Sequence, residues 1–196
     1  MRNSILAALA SAGLFGLSTP LAKVLVAEVP PVALAGLLYL GSGIGLLTWR
    51  YARGHTLSRQ GAHEAPLASA DWPWLAGAIL AGGVVAPVLL MLGLERTTGA
   101  AASLLLNLEG VFTALLAWFV FHENFDRRIA IGFVLIAGGG MLLSWEGEPA
   151  GGLPLGTLAI AAACFGWAID NNLTQRVSAS DPVQIAGIKG LVAGGV

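Results

Sequence analysis

Charge is what this sequence has least of. Only 11% of its 196 residues are Asp, Glu, Lys or Arg, too few to cover the surface of a water-soluble domain of this length. The net charge of −1 gives no electrostatic reason to bind nucleic acid, and none is expected as a partner. A single cysteine, Cys164, excludes an internal disulfide and reads as a small packing residue inside an apolar run. His55 and His63 have no partners at metal-ligand spacing, and "HENFD" at 122–126 starts like HExxH but has Asp126 where the second ligand belongs. No GxxxxGK[ST], GxSxG or GxGxxG stretch occurs. Those absences argue against an ATP-driven pump within this chain and against an enzyme, and no cofactor is expected.

What is present is oil. Hydrophobic residues make up 56% of the chain, and the mean hydropathy is +0.78. The 27 glycines fall inside apolar runs, as in membrane helices, where they let neighbours approach closely. Crossing a bilayer takes roughly 20 mostly apolar residues. Such runs lie at Ile5–Val29, Val32–Trp49, Trp72–Leu94, Gly99–Phe121, Ile129–Trp145 and Leu153–Leu173, and a seventh begins at Val183. Unpaired backbone groups are not tolerated in lipid, so these runs are helices. The fold expected is an all-α polytopic membrane protein with about 6–7 transmembrane helices. The opening "MRNSILAALASAGLFG" resembles a signal peptide, but its apolar run continues to Val29, so it reads as a retained first helix.

The polar stretch Tyr51–Asp71 reads as a plain connector. With a cytoplasmic N-terminus, the inner segments hold Arg2, Arg50, Arg53, Arg59, Arg127, Arg128 and Arg176, and the outer ones only Arg96. Seven against one is the positive-inside pattern, so this orientation is expected, in a bacterial-type inner (plasma) membrane. Trp49, Trp72, Trp74 and Trp145 fall at helix ends, as interfacial residues do, whereas Trp167 lies deeper.

The chain also repeats itself. "GLFG" at 13–16 is echoed by "ACFG" at 163–166, and "PVALAGLLYLGSG" at 31–43 by "PVQIAGIKGLVAG" at 182–194. Five spans separate the copies, an odd number, so the second copy runs upside down through the membrane. Inverted five-helix repeats of this kind put a binding site between the halves, near the midplane. Residues 1–146 form the first repeat. Residues 153–196 begin a second one, which reads as unfinished, as in a truncated frame.

Four ionisable residues fall inside spans, where each costs about 2.5–3.5 kcal/mol at a helix centre. Glu109 is the deepest, about ten residues into its span, on a face shared with Ala102, Leu106 and Thr113. It reads either as a protonatable or cation-pairing group in a transport cavity, or as a neutral helix tie. Asp170 and Lys189 approach one depth from opposite directions and could form a buried pair, with Asn171, Asn172 and Thr174 nearby. Lys23 lies in the outer third, within snorkelling reach of Glu28. Pro20 removes a donor from the same helix, and a kink there would present Ser18 and Thr19 to a cavity. Asn107 and Trp167 complete the candidate set.

The stretch "ERTTGAAASLLLNLEGVFTALLAWFVFHENFDRRIAIGFVLIAGGGMLL" resembles the fourth and fifth helices of the drug/metabolite transporter superfamily, in its EamA-like branch. Glu109 and Glu123 fall on the two family glutamates, and Lys23 on a position that is often basic. Gly110 stands where Pro is usual, and Leu38 where Arg is frequent. The resemblance implies ten helices in two inverted five-helix repeats, exporting or exchanging small metabolites or drugs. The expected function is a secondary transporter working by alternating access. Its partners would be a small organic solute and the lipid bilayer, with a homodimer as a further option. The alternative is a non-transporting membrane scaffold whose buried charges are structural locks. A membrane-embedded lipid transferase is weaker still.

Overall fold

The computed structural model describes residues 2–57, 67–122, 127–144, 155–177 and 180–196. Glu123, Trp145, Glu146, Glu148 and the middle of the connector lie outside the described residues. What is described is helical almost throughout, as expected of an all-α polytopic protein. α1 (Arg2–Leu25) and α2 (Pro31–Leu57) come first. A long rod follows, made of α3 (Trp72–Ala78), a π-helical turn (Ile79–Val85) and α4 (Ala86–Glu95). Next are α5 (Gly99–Leu105), α6 (Leu108–Phe119), α7 (Arg127–Ser144), α8 (Leu155–Arg176) and α9 (Pro182–Gly195).

Among the described residues, four stretches are long and apolar enough to cross a bilayer: Ala8–Leu25, Pro31–Ala52, Ser69–Glu95 and Gly99–Phe119. α8 has the length, at 22 residues, but its last two turns carry Asp170, Asn171, Asn172, Thr174 and Arg176. The Ser69–Glu95 stretch is 44% buried within the protein, against 11% for Ala8–Leu25. That contrast identifies the rod as the central element and leaves α1 at the edge. α8 packs along the whole rod and onto α6. Its face of small residues, with Gly156, Ala163, Cys164, Gly166 and Ala168 buried, lets the backbones close up.

Two expectations need refinement. The fourth span, continuous in length from Gly99 to Phe119, tightens midway. α5 stops at Leu105 and α6 starts at Leu108, with both intervening residues in helical conformation. The second helix does not end at Trp49 but continues to Leu57, since residues 50–57 contain no proline to remove a backbone donor from the following turns. Pro20 lies inside α1, which runs on to Leu25.

The closest helix pair is α2 with α9, the two copies of the repeated motif. They run antiparallel on glycine. A Cβ placed on Gly190 would lie 2.6 Å from Gly43 Cα, and one on Gly187 would lie 2.6 Å from Leu47 Cδ2. The contacts obey the sequence shift of 151 between Pro31 and Pro182. Gly36 faces Gly194; moving each by that shift gives Gly187 and Gly43, which also face each other. Leu40 against Gly194 maps in the same way onto Leu191 against Gly43.

At one end this pair is clamped by charge. The Asp181 carboxylate N-caps α9, accepting from the Val183 amide at 2.8 Å and the Gln184 amide at 3.1 Å. It also accepts from Arg50 Nε at 2.6 Å. Burial works against the charged carboxyl, but the Arg50 hydrogen bond and the two amides outweigh it and hold the Asp181 pKa below its ordinary value. A depressed folded-state pKa gives stability that is present above the ordinary carboxylate range, near 4, and lost as pH falls through the folded value. Arg50 is 47% exposed, so the ion pair itself adds little and the cap dominates. Asp181→Ala should therefore cost about 1 kcal/mol at pH 7. Thermal unfolding in detergent should show that difference shrinking as pH falls below the ordinary carboxylate range.

Candidate functional site

A cavity of about 520 Å³ lies between α1, α2, α4, the α5–α6 turn and α8. Its wall is mostly hydrocarbon, including Ala22, Leu25, Leu90, Met91 and Leu106, interrupted by Ser18, Thr19, Tyr39, Glu109 and Trp167. A few polar groups converging on an apolar concavity of this size are the usual make-up of a small-molecule site.

Glu109 reaches the cavity just after the tightened turn. At the end of α5, Leu104 O accepts from the Asn107 amide at 3.1 Å and from Asn107 Nδ2 at 2.9 Å, and the Cys164 thiol donates to Leu105 O at 3.5 Å. Asn107 thus serves its own helix end and does not line the cavity. α6 then restarts with Glu109 in its first turn, where the positive end of the helix dipole favours a carboxylate. Asn171 Nδ2 of α8 donates to Glu109 Oε1 at 2.9 Å and to Thr113 Oγ1 at 3.2 Å. The expected Glu109–Thr113 face is therefore present, and Asn171 is its partner. Ala102, expected on that face, is fully buried in the core.

Trp167 and Tyr39 share an acceptor that the sequence reading missed. The Ala86 amide bonds to Ala81 O, five residues back, and the next residue, Pro87, has no amide hydrogen to give. Gly82 O is left free. Tyr39 OH donates to it at 2.8 Å and Trp167 Nε1 at 2.9 Å. The deep tryptophan is thus a hydrogen-bonded wall residue, not an interfacial one. A proline one turn after paired glycines, "GGVVAP" at 82–87, was the available signal, since π turns of this type accompany functional sites.

Beyond Tyr39 lies a second cavity of about 400 Å³, lined by Ser42, Asp170, Thr174, Ser180 and Lys189, with Tyr39 belonging to both. The expected Asp170–Lys189 pair is formed, Lys189 Nζ donating to Asp170 Oδ1. Thr174 Oγ1 donates to the same oxygen at 2.8 Å. Asn171 and Asn172 are not part of this cluster: Asn172 Nδ2 donates to Ala168 O and to Thr113 O. Gly82 makes room for the Asp170 carboxylate, which would collide with any Cβ at that position.

Lys23 does not turn to Glu28. Its Nζ donates to Leu94 O and Glu95 O, a cation on the negative end of the α4 dipole. Arg176 at the end of α8 sits over the Trp74 and Phe121 rings, 5.9 and 5.1 Å from their centroids, joining three helix ends where Trp49, Trp72 and Trp74 are exposed.

Comparison with known proteins agrees with this architecture. The EamA-like transporter family matches residues 2–145. A Methanothermobacter thermautotrophicus protein named "uncharacterized transporter" is 34% identical over 190 residues, covering 92% of this chain and 55% of its own length. Proteins named "probable 4-amino-4-deoxy-L-arabinose-phosphoundecaprenol flippase subunit ArnE" match more briefly. That of Pseudomonas fluorescens is 41% identical over 73 residues, 37% of this chain and 61% of its own. That of Pseudomonas aeruginosa is 42% identical over 72 residues, 37% and 60% respectively. The chain thus spans just over half the length of the relative that it matches most fully. No solved structure matches it significantly. A multi-pass membrane protein whose first 145 residues carry this match belongs to the EamA-like transporter family.

Proposed function

We propose that the protein works as a secondary transporter of a small organic solute, which occupies the cavity at Glu109 and crosses as two inverted halves rock about the α2–α9 contact. The observation that carries this reading is a mid-span carboxylate, just after a tightened helical turn, on the wall of an otherwise apolar cavity. An ionisable residue inside a span that faces a cavity is the usual mark of a solute or ion pathway. The shift of 151 that relates the α2–α9 contacts supports the inverted-repeat division at 1–146 and 153–196. By the same operation α1 is the counterpart of α8, which is enclosed by α3 to α6. The outer face of α1, with Leu14 71% and Val24 68% exposed, is then the seat for elements equivalent to α3–α6. The arginine-rich ends support a cytoplasmic N-terminus in an inner membrane.

The scaffold alternative accounts for Asp170–Lys189 and for Lys23, which are bonded within the protein. It does not account for a cavity at Glu109. Efflux of a panel of labelled solutes from cells making wild-type protein or Glu109→Gln separates the two. The transporter reading expects at least one solute whose flux falls tenfold or more in the variant, with protein level unchanged. A scaffold gives no solute whose flux depends on the protein.

A further inference from the structure

The balance of charge around the two cavities carries the reading one step further. Among the described side chains, Lys23, Lys189, Arg50 and Arg176 are each already engaged. Lys23 holds the α4 carbonyls, Lys189 holds Asp170, Arg50 holds Asp181, and Arg176 lies on two aromatic rings. Glu109 is different. Its hydrogen-bond partner, Asn171, is neutral, and among the described residues no lysine or arginine lines its cavity. An anionic solute entering there would find no opposite charge and a carboxylate to repel it, besides losing its own hydration. A neutral solute would leave the Glu109 charge uncompensated. A solute with one positive nitrogen and an apolar body satisfies both halves of the site. Its nitrogen meets Glu109, and its body lies on Leu25, Leu90 and Met91, the methionine adjusting to different shapes. The rings of Tyr39 and Trp167, on the same wall, add cation–π attraction to the nitrogen-bearing end.

We infer that the Glu109 cavity is a binding site for amphipathic monocations, amines with a single apolar body, and that it excludes carboxylates and phosphates of the same size. This rests on the transporter reading only for its location, since binding can be measured without transport.

The test uses three probes with one carbon skeleton, n-octylammonium, n-octanol and n-octanoate. Each is titrated calorimetrically into the full chain in zwitterionic lipid nanodiscs, with empty nanodiscs correcting for partition. Octylammonium is expected to bind at least tenfold more tightly than octanol, with octanoate undetectable. Glu109→Gln should weaken octylammonium by about ten- to a hundredfold, the range for a hydrogen bond to a charged group, and Glu109→Asp should keep the preference for the cation. Should neither variant fold, the wild-type order of the three probes decides alone. Octanoate or octanol binding as tightly as octylammonium overturns the inference, as does unchanged octylammonium affinity in folded Glu109→Gln. Octylammonium binding at Glu109 with no flux of any solute would instead sink the transporter reading and leave this one standing.

Discussion

Lys189→Met should destabilise the protein by about 3–5 kcal/mol, because it leaves the Asp170 carboxylate buried without its counter-charge. The Asp170 side chain is 9% exposed and that of Lys189 16%, so water in the cavity that both line replaces the lost counter-charge only in part. Thr174 still donates to Asp170, but one hydroxyl offsets only about 1 kcal/mol of that cost. Met fits the space of the lysine stem, so the effect reports charge and not a void. Asp170→Leu combined with Lys189→Met should recover most of the loss, since apolar replacement of both partners of a buried pair is often neutral. Unfolding of the three variants in one detergent, followed by loss of helical signal, gives both numbers. If the pair is a lock, the double variant retains function along with stability. If solute or proton must contact Asp170, the double variant is stable and inactive.

Gly190→Leu is the second large effect. A Cβ at Gly190 would stand 2.6 Å from both Cα and N of Gly43 and 2.8 Å from Tyr39 O. All three atoms are backbone, so no side chain can swing away, and α9 must lift off α2. Overpacking usually costs 1–3 kcal/mol. Here the whole helix contact opens, so at least the upper end of that range, about 3 kcal/mol, is expected. Lifting α9 also withdraws Lys189 from Asp170, which adds to the loss. Gly45→Leu in α2 is the control. Nothing lies within 4 Å of its Cβ position, so its cost should stay near or below zero, Leu being a better helix former than Gly. Comparing the two Tm values separates close packing from a general intolerance of larger residues.

The features legible in the sequence are those written in long-range periodicity or in depth. The opposite directions of α2 and α9 follow from two copies of one motif separated by an odd number of spans, whereas their direct packing does not. The Asp170–Lys189 pair follows from two charges counted to the same level from opposite sides. What stayed hidden depends on which neighbour a side chain finds. Lys23 had Glu28 nearby in sequence, whereas its actual acceptors, the carbonyls of Leu94 and Glu95, are more than seventy residues away. The tightened turn at Leu106–Asn107 sits inside "LLLNLEG", whose composition is that of a regular membrane helix. The Leu105 carbonyl there is bonded from another helix, by Cys164, and no local pattern reveals that. The shared acceptor Gly82 O is a consequence of Pro87, a residue whose effect is felt five positions upstream. Glu109 was singled out by depth alone. Its single neutral partner, which makes it the anchor of the cavity, became visible only with α8 in place.

The central claim is that the Glu109 cavity is open in turn to each side of the membrane. Ser18 lies on its wall and is exposed, and Cys164 is the lone thiol and is buried. A Ser18→Cys variant carrying Cys164→Ser therefore presents one reporter. Labelling it with a membrane-impermeant maleimide in right-side-out and inside-out vesicles reads access from each face. The account predicts labelling from both faces, with rates that shift in opposite directions when octylammonium is added. Labelling from one face only, at a rate that octylammonium leaves unchanged, would contradict it.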